Sequence, residues 1–353
     1  MTTLSRRLLL GSVAAGTAAV ALPRAASALI GDSTPTRDRI DLHAHAIPPE
    51  YRESLVENGF GTIGGYPLPQ WSPERAIDFM DRYGIQTQVL SLSDPGVSYL
   101  SGAEARDMAR YNNTYMAGLF RQYPKRFGGL AVLPMPDVAG SVAEIEYALD
   151  VLKLDGVVLL SAYEGVYLGH PVFEPVMAAL ARRNAFVFLH PAAIPADNKP
   201  ELPVPDFLYE FTFDTTRAVA QMIYGGTIAR YPSIRFQLAH AGGTVPFLSY
   251  RLGLPEEVAF PGFETPTGIP AQIRGFYYDT ALSPSRAAMA SVLEVTGLNH
   301  IVFGSDWPFS ELLFTGSGDP QPQLSETFDP TQRRQIERGN ALRELPRLAA
   351  RLS

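Results

Sequence analysis

Eight short runs rich in β-branched and aromatic residues recur along the chain with helix-like segments between them, and this alternation limits the fold more than any other feature. The runs are "RIDLHAH" from Arg39, "QTQVLSLS" from Gln86, "FGGLAVLP" from Phe127, "DGVVLLSAY" from Asp155, "AFVFLHP" from Ala185, "IRFQLAHAGG" from Ile234, "GFYYDTAL" from Gly275 and "HIVFGSDWP" from His300. Strands separated by helices pair in parallel. Eight of them predict a single (β/α)8 TIM barrel. The helix signals agree: in "SPERAIDFMDRYG", Ser72 is placed to cap, Pro73 to open the helix and Gly84 to close it. "HPVFEPVMAALARRN" has apolar residues at i, i+3, i+4 and i+7. Two Gly- and Pro-rich stretches, residues 58–71 and 191–211, read as insertions at the barrel mouth. The segment 315–330 reads the same way, and "TQRRQIERGNALREL" reads as a closing helix.

Composition removes several function classes. The 353 residues are 46% hydrophobic and 18% charged, enough apolar material for a large core. A formal charge of -7 is the wrong sign for a surface that tracks phosphates, so no nucleic-acid partner is expected. Cysteine is absent, which excludes disulfides, thiol nucleophiles and thiolate metal sites. Residues 1–28 read as an address: Arg6 and Arg7 precede an uncharged run from Leu8 to Leu22 and then Ala26-Ser27-Ala28. This resembles a twin-arginine signal peptide and predicts export, to the periplasm or beyond, of a mature domain over 29–353. The run is shorter than the roughly 20 residues of a span, so no membrane segment is expected after its removal.

Histidines mark the site. Residues i and i+2 of a strand face the same way, so His43 and His45 present two imidazoles side by side. His190 ends the fifth run, His240 the sixth, and Asp306 the eighth. In a barrel these positions fall at the C-terminal face, where active sites of this architecture are built. His300 precedes the eighth strand and His170 enters a helix, so both are expected to be structural. Tyr163, Tyr167, Phe211, Phe213, Trp307 and Phe309 are candidate mouth residues, a lining that suits a planar aromatic substrate. Arg217 could hold a substrate carboxylate through its fork of donors, or pair locally while Asp214 caps its helix.

These motifs and spacings resemble the amidohydrolase superfamily over nearly the whole mature chain. Within it they resemble the amidohydrolase-related branch of aminocarboxymuconate-semialdehyde decarboxylase and aromatic-acid decarboxylases. "WSPERAIDFMDRYGIQTQVLSLSDPGV", "RFGGLAVLPMPDVAGSVAEIEYALD" and "DGVVLLSAYEGVYLGHPVFEPV" look like the 6-methylsalicylate decarboxylase type. The resemblance implies His43, His45, His190 and Asp306 as metal ligands and His240 as the catalytic histidine. Nitrogen and oxygen donors suit one Zn²⁺, with Mn²⁺ also compatible. Binuclear relatives use a lysine at the end of the fourth strand, and "DGVVLLSAY" has none. The segment after the first strand lacks the arginine that aminocarboxymuconate enzymes use for their substrate, and Arg52 is too close to the first motif to replace it. Arg251 resembles a position that reaches a neighbouring subunit's site, which implies a homodimer. Two reactions fit such a centre: non-oxidative decarboxylation of a hydroxylated aromatic acid such as a salicylate, and hydrolysis of an ester, lactone or amide by metal-bound water. For the first, the proton donor is Asp306 or His240, and the sequence does not separate them.

Overall fold

The computed structural model describes residues 38–353 apart from 195–198, 259, 261–263 and 265; the expected signal peptide lies outside the described residues. The eight runs form β1 (Arg39–His45), β2 (Ile85–Ser91), β3 (Phe127–Ala131), β4 (Gly156–Leu160), β5 (Phe186–His190), β6 (Arg235–Leu238), β7 (Tyr277–Asp279) and β8 (Ile301–Val302). They pair in chain order and in parallel. The sheet closes on itself where Leu42 N donates to Phe303 O at 2.9 Å, His45 N to Trp307 O at 2.8 Å and Asp306 N to His43 O at 2.7 Å. Strands covered on both faces need continuous apolar character rather than alternation, and every residue of β3, β4 and β5 is buried. No helix of the described residues is long and apolar enough to cross a membrane.

Helices occupy the outer layer between consecutive strands, among them α1 (Pro73–Arg82), α2 (Gly102–Gln122), α3 (Val138–Glu146), α4 (Glu174–Ala181), α5 (Glu210–Tyr224), α6 (Val245–Glu257) and α7 (Arg286–Thr296). The local signals act as read. Ser72 accepts from Arg75 N at the start of α1, Pro73 takes the first helical position, and Gly84 turns the chain toward β2 at φ +64. Asp329 and Gln332 form a capping box that starts the closing helical segment.

The 58–71 insertion folds into a hairpin, Thr62–Ile63 against Tyr66–Pro67, that roofs the mouth. Its turn sits on the second insertion: Phe207 N donates to Gly64 O at 3.2 Å, and a Cβ on Gly64 would stand 2.6 Å from the Phe211 ring. Glycine is required there by contact as well as by its φ of +55. The 315–330 segment departs from expectation. Instead of joining the mouth it descends the outside of the barrel, because Asp319 pairs with Arg333 at 2.6 Å and lies 3.7 Å from Arg39, at the opposite end of β1 from the histidines.

Trp307 is a second departure. Expected at the mouth, it is fully buried and stacks on Phe79 of α1, with ring centroids 5.3 Å apart and planes 17° apart. It follows Asp306 directly, so when Asp306 turns inward Trp307 is carried into the layer between strands and helices. Trp307→Ala is expected to destabilise the fold by about 3–5 kcal/mol, the range for emptying an aromatic core position. A urea melt measures it.

Candidate metal centre

The C-terminal ends of β1, β5 and β8 bring His43, His45, His190 and Asp306 together, each buried, with one ligand atom from each lying within 4.8 Å of all the others. Local hydrogen bonds decide which nitrogen each imidazole offers. His43 Nδ1 donates to Asp279 Oδ2 at 2.9 Å and His190 Nδ1 to Pro191 O at 2.8 Å. Ser91 Oγ donates to Ala44 O, so at 3.1 Å it accepts from His45 Nδ1. With all three Nδ1 atoms engaged as donors, three Nε2 lone pairs are left to face the Asp306 carboxylate. Such orientation by a neighbouring acceptor is the usual support of a metal-binding histidine.

For two of the three imidazoles electrostatics point the same way. Burial holds His45 below its ordinary pKa, and burial together with the neighbouring imidazoles holds His190 well below, so both present lone pairs. His43 differs: burial opposes its charge, yet the carboxylates of Asp279 and Asp306 outweigh it and hold this imidazole up to about 10, so a cation at Nε2 would have to displace a proton there. Asp306 lies well below the usual carboxylate range, because the charge of His43 and the close approach of the His240, His43 and His45 nitrogens overcome its burial. His43 Nε2 is buried without a hydrogen-bond partner. A cluster of acceptors around an orphaned nitrogen fits a divalent cation, and three nitrogens with one carboxylate oxygen fit the donor preference of zinc.

His240 follows β6 in a left-handed turn at φ +55 and lines the cavity, with Nε2 3.6 Å from Asp306 Oδ2. Asp306 therefore turns Oδ1 to His43 and His45, at 3.3 and 3.1 Å, and Oδ2 to His240. Above them opens a cavity of about 390 Å³ lined by Tyr66, Phe207, Phe211, Leu282 and Phe309 among others. The Phe309 ring stands 5.5 Å from His45 and the Phe211 ring 6.0 Å from His190. Phe309 and Phe211 thus stand where the sequence placed them.

The other candidates lie elsewhere. Tyr163 is buried under the rim, accepting from Leu160 N at 2.8 Å, and packs on Phe173. Phe213 is largely exposed on the outer side of α5. Tyr167 and Arg217 line a separate cavity, where Tyr167 donates to Asp214 at 2.7 Å and Arg217 lies 3.7 Å from Glu210. Asp214 is not a cap: it sits inside α5, buried, where it also accepts from Ser161 Oγ and from Ala192 N. Arg52 donates to Pro69 O, holding the base of the hairpin, and Arg251 is exposed on α6. His170 caps a single turn through Val172 N, and His300 stacks on Tyr277 before β8, both structural as read. The sequence reading missed Ile63, Tyr66, Phe207, Leu282, Leu312 and Leu313 of the lining. The aromatic content of the two insertions was the signal for Tyr66 and Phe207.

Comparison with known proteins decides the family. The sequence profile of the amidohydrolase family matches residues 40–347. The chain belongs to the amidohydrolase family. Its relatives include decarboxylase yanB of Aspergillus niger, 38% identical over 290 residues, which are 77% of this chain and 78% of that one. The 6-methylsalicylic acid decarboxylase of Penicillium expansum is 34% identical over 323 residues, 88% of this chain and 97% of its own. Among solved structures, a 5-carboxyvanillate decarboxylase of Novosphingobium aromaticivorans complexed with manganese and 4-hydroxy-3-methoxy-5-nitrobenzoic acid shares the fold. Its TM-score is 0.74 at 20% identity, over 89% of this chain and 98% of the other.

One buried acid at the amidohydrolase mouth gives a pH prediction. Burial, and then the charge of Asp214, push Asp94 up to about 6 from its ordinary 3.8, while Ala193 N, donating at 3.1 Å, offsets part of this. Between those two values the folded state holds more protons than the unfolded chain. Stability is therefore lost as the pH rises through that window. Asp94→Asn is expected to stabilise the protein by about 3 kcal/mol at pH 8, with the gain shrinking toward pH 4. Denaturant melts of both proteins across that range check the sign.

Proposed function

We propose that this chain is a metal-dependent, non-oxidative decarboxylase of a hydroxylated aromatic acid such as a salicylate derivative. The observation that carries the reading is a four-ligand centre at the floor of an apolar, aromatic-walled cavity, with His240 beside it. The relatives named decarboxylases support it. None of the described residues lining the cavity is Lys or Arg, so a substrate carboxylate finds its counter-charge at the metal centre. We assign the ion as zinc from its donors. The manganese held by the carboxyvanillate decarboxylase makes that ion the alternative.

When bound, a divalent ion would hold the carboxylate and the ortho hydroxyl of the ring and withdraw charge from them. The chain's own residues do the rest. Phe211 and Phe309 flank the space above the ligands and favour a flat ring. His240 Nε2 and Asp306 Oδ2 form a two-station proton site at the cavity floor. The proton adds to the ring carbon that bears the carboxylate, the bond to that carboxylate breaks, and its electron pair returns to the ring as CO2 leaves. The walls exclude water, which favours neutral CO2 and phenol over the charged acid. Export through the leader at residues 1–28 would have the enzyme meet its acid outside the cytoplasm, and a homodimer would give the exposed Arg251 a second chain's mouth to reach.

Incubating the metal-loaded protein with 6-methylsalicylate and other salicylates should release CO2 and the matching phenol in equal amounts. Carboxylate formation from esters or lactones, with no CO2 from any acid, rejects the reading. His190→Ala should lose bound metal, measured by elemental analysis, and lower kcat/KM by at least about a hundredfold.

A further inference from the structure

We propose that Asp279, at the end of β7, positions two parts of the centre at once: it fixes the metal-binding nitrogen of His43 and it holds His240 at its distance from the ligands. The carboxylate is fully buried and receives four donors. Oδ2 accepts from His43 Nδ1 at 2.9 Å and from Gln237 Nε2 at 3.0 Å. Oδ1 accepts from His240 N at 2.9 Å and from Ala281 N at 3.1 Å. One oxygen thus serves the metal ligand and the other serves the backbone of the proton-handling residue.

The second role follows from backbone geometry. β6 ends at Leu238, and His240 and Ala241 both adopt left-handed φ, +55 and +56, before Gly242 and Gly243 at +73 and +62. For non-glycine residues this conformation is costly and persists only where the surroundings over-determine it. Asp279 Oδ1 grips the turn at its first left-handed residue, opposite the imidazole that reaches toward Asp306. Because β6 and β7 are paired only through Gln237–Tyr277 and Leu238–Tyr278, register alone does not hold the turn. The side chain supplies the missing tie. A rigid group shared between His43 and His240 keeps their ring centroids 5.0 Å apart, and a shift of about 1 Å between reacting groups is enough to cost on the order of a hundredfold in rate.

Asp279→Asn separates this from simple packing, since the change is isosteric. The backbone N–H groups of His240 and Ala281 cannot accept, so the new amide must turn its oxygen to them. Its NH₂ then meets the Nδ1–H of His43, which must move its proton to Nε2, where the metal binds. The variant should bind Zn²⁺ roughly 10–100-fold more weakly. At full metal occupancy its kcat should remain lower while KM holds, and the ¹⁵N-histidine resonances of His240 should shift. Ser91→Ala, whose hydroxyl touches only His45 among the site histidines and also holds Ala44 O, calibrates the loss due to the metal.

Unchanged zinc affinity in Asp279→Asn overturns the proposal, as does a kcat at saturating zinc reduced no further than in Ser91→Ala together with unmoved His240 resonances. If the variant does not fold, two-bond ¹H–¹⁵N spectra of the zinc-loaded wild-type chain decide: protonation of His43 at Nδ1 supports the role of Asp279, and protonation at Nε2 ends it. The kcat arm rests on the proposed decarboxylation. Absence of CO2 from wild type would reject that reaction, while zinc affinity and the histidine spectra would still test Asp279.

Discussion

Four ligand atoms from three distant stretches of the chain stand within 4.8 Å of one another in a buried place, and the architecture around them exists to make that tolerable. Burying so many acceptors without donors or a cation would cost several kcal/mol. A parallel barrel is suited to the task because its strand ends converge on one rim. β1 supplies two ligands on one face, β5 supplies one, and the turn after β8 supplies the carboxylate. The seam between β8 and β1 is held by Asp306 N donating to His43 O, a backbone bond between two of the ligands themselves. Closure of the barrel and assembly of the centre are in this sense one event.

Around the ligands lies a ring of polar side chains whose task is orientation. Asp41 accepts from His43 N, Gln88 and both the backbone and the hydroxyl of Ser305, which ties β1, β2 and the β8 turn beneath the centre. Burial pushes Asp41 up to about 6 against these four donors. Gln237 bridges β6 to β1 through Leu42 O and to β7 through Asp279. Core positions are thus given to polar groups that no catalytic step touches, and the fold retains them because each donor finds an acceptor. Strain is concentrated beside this ring, in the left-handed residues His240 and Asp306, where the chain must leave its strand and still aim a side chain inward.

The barrel was legible because its strands are apolar runs, and all eight occur where they were read, although the last two are cut to Tyr277–Asp279 and Ile301–Val302. The ligands were legible because histidine is rare here and four of six copies stand where strands stop. What stayed hidden is sidedness beyond the strand. Trp307 and Asp306 are adjacent and point to opposite layers, and Phe213 differs from Phe211 by two residues of a helix, which is enough to move it from the cavity to solvent. The 315–330 segment shares Gly and Pro content with the mouth loops, and only the partners of Asp319 reveal its direction. Polar supports such as Asp279, Ser91 and Gln237 carry no local pattern, since their meaning lies in contacts across strands distant in the chain.

The cavity's charge balance narrows the chemistry further than its shape does. A divalent ion held there would face the Asp306 carboxylate directly and the Asp279 carboxylate through His43, and among the described lining residues no Lys or Arg adds positive charge. A second anionic group on a substrate would find no Lys or Arg partner beside Leu282, Leu312 and Leu313. Leu312 and Leu313 are themselves exposed, so water would have to solvate such a group at the rim. The arginines available for a second carboxylate are committed elsewhere: Arg52 to Pro69 O, Arg217 to the neighbouring cavity and Arg251 to the surface of α6. The mouth is thus marked by where cations are missing as much as by the one its ligands would hold.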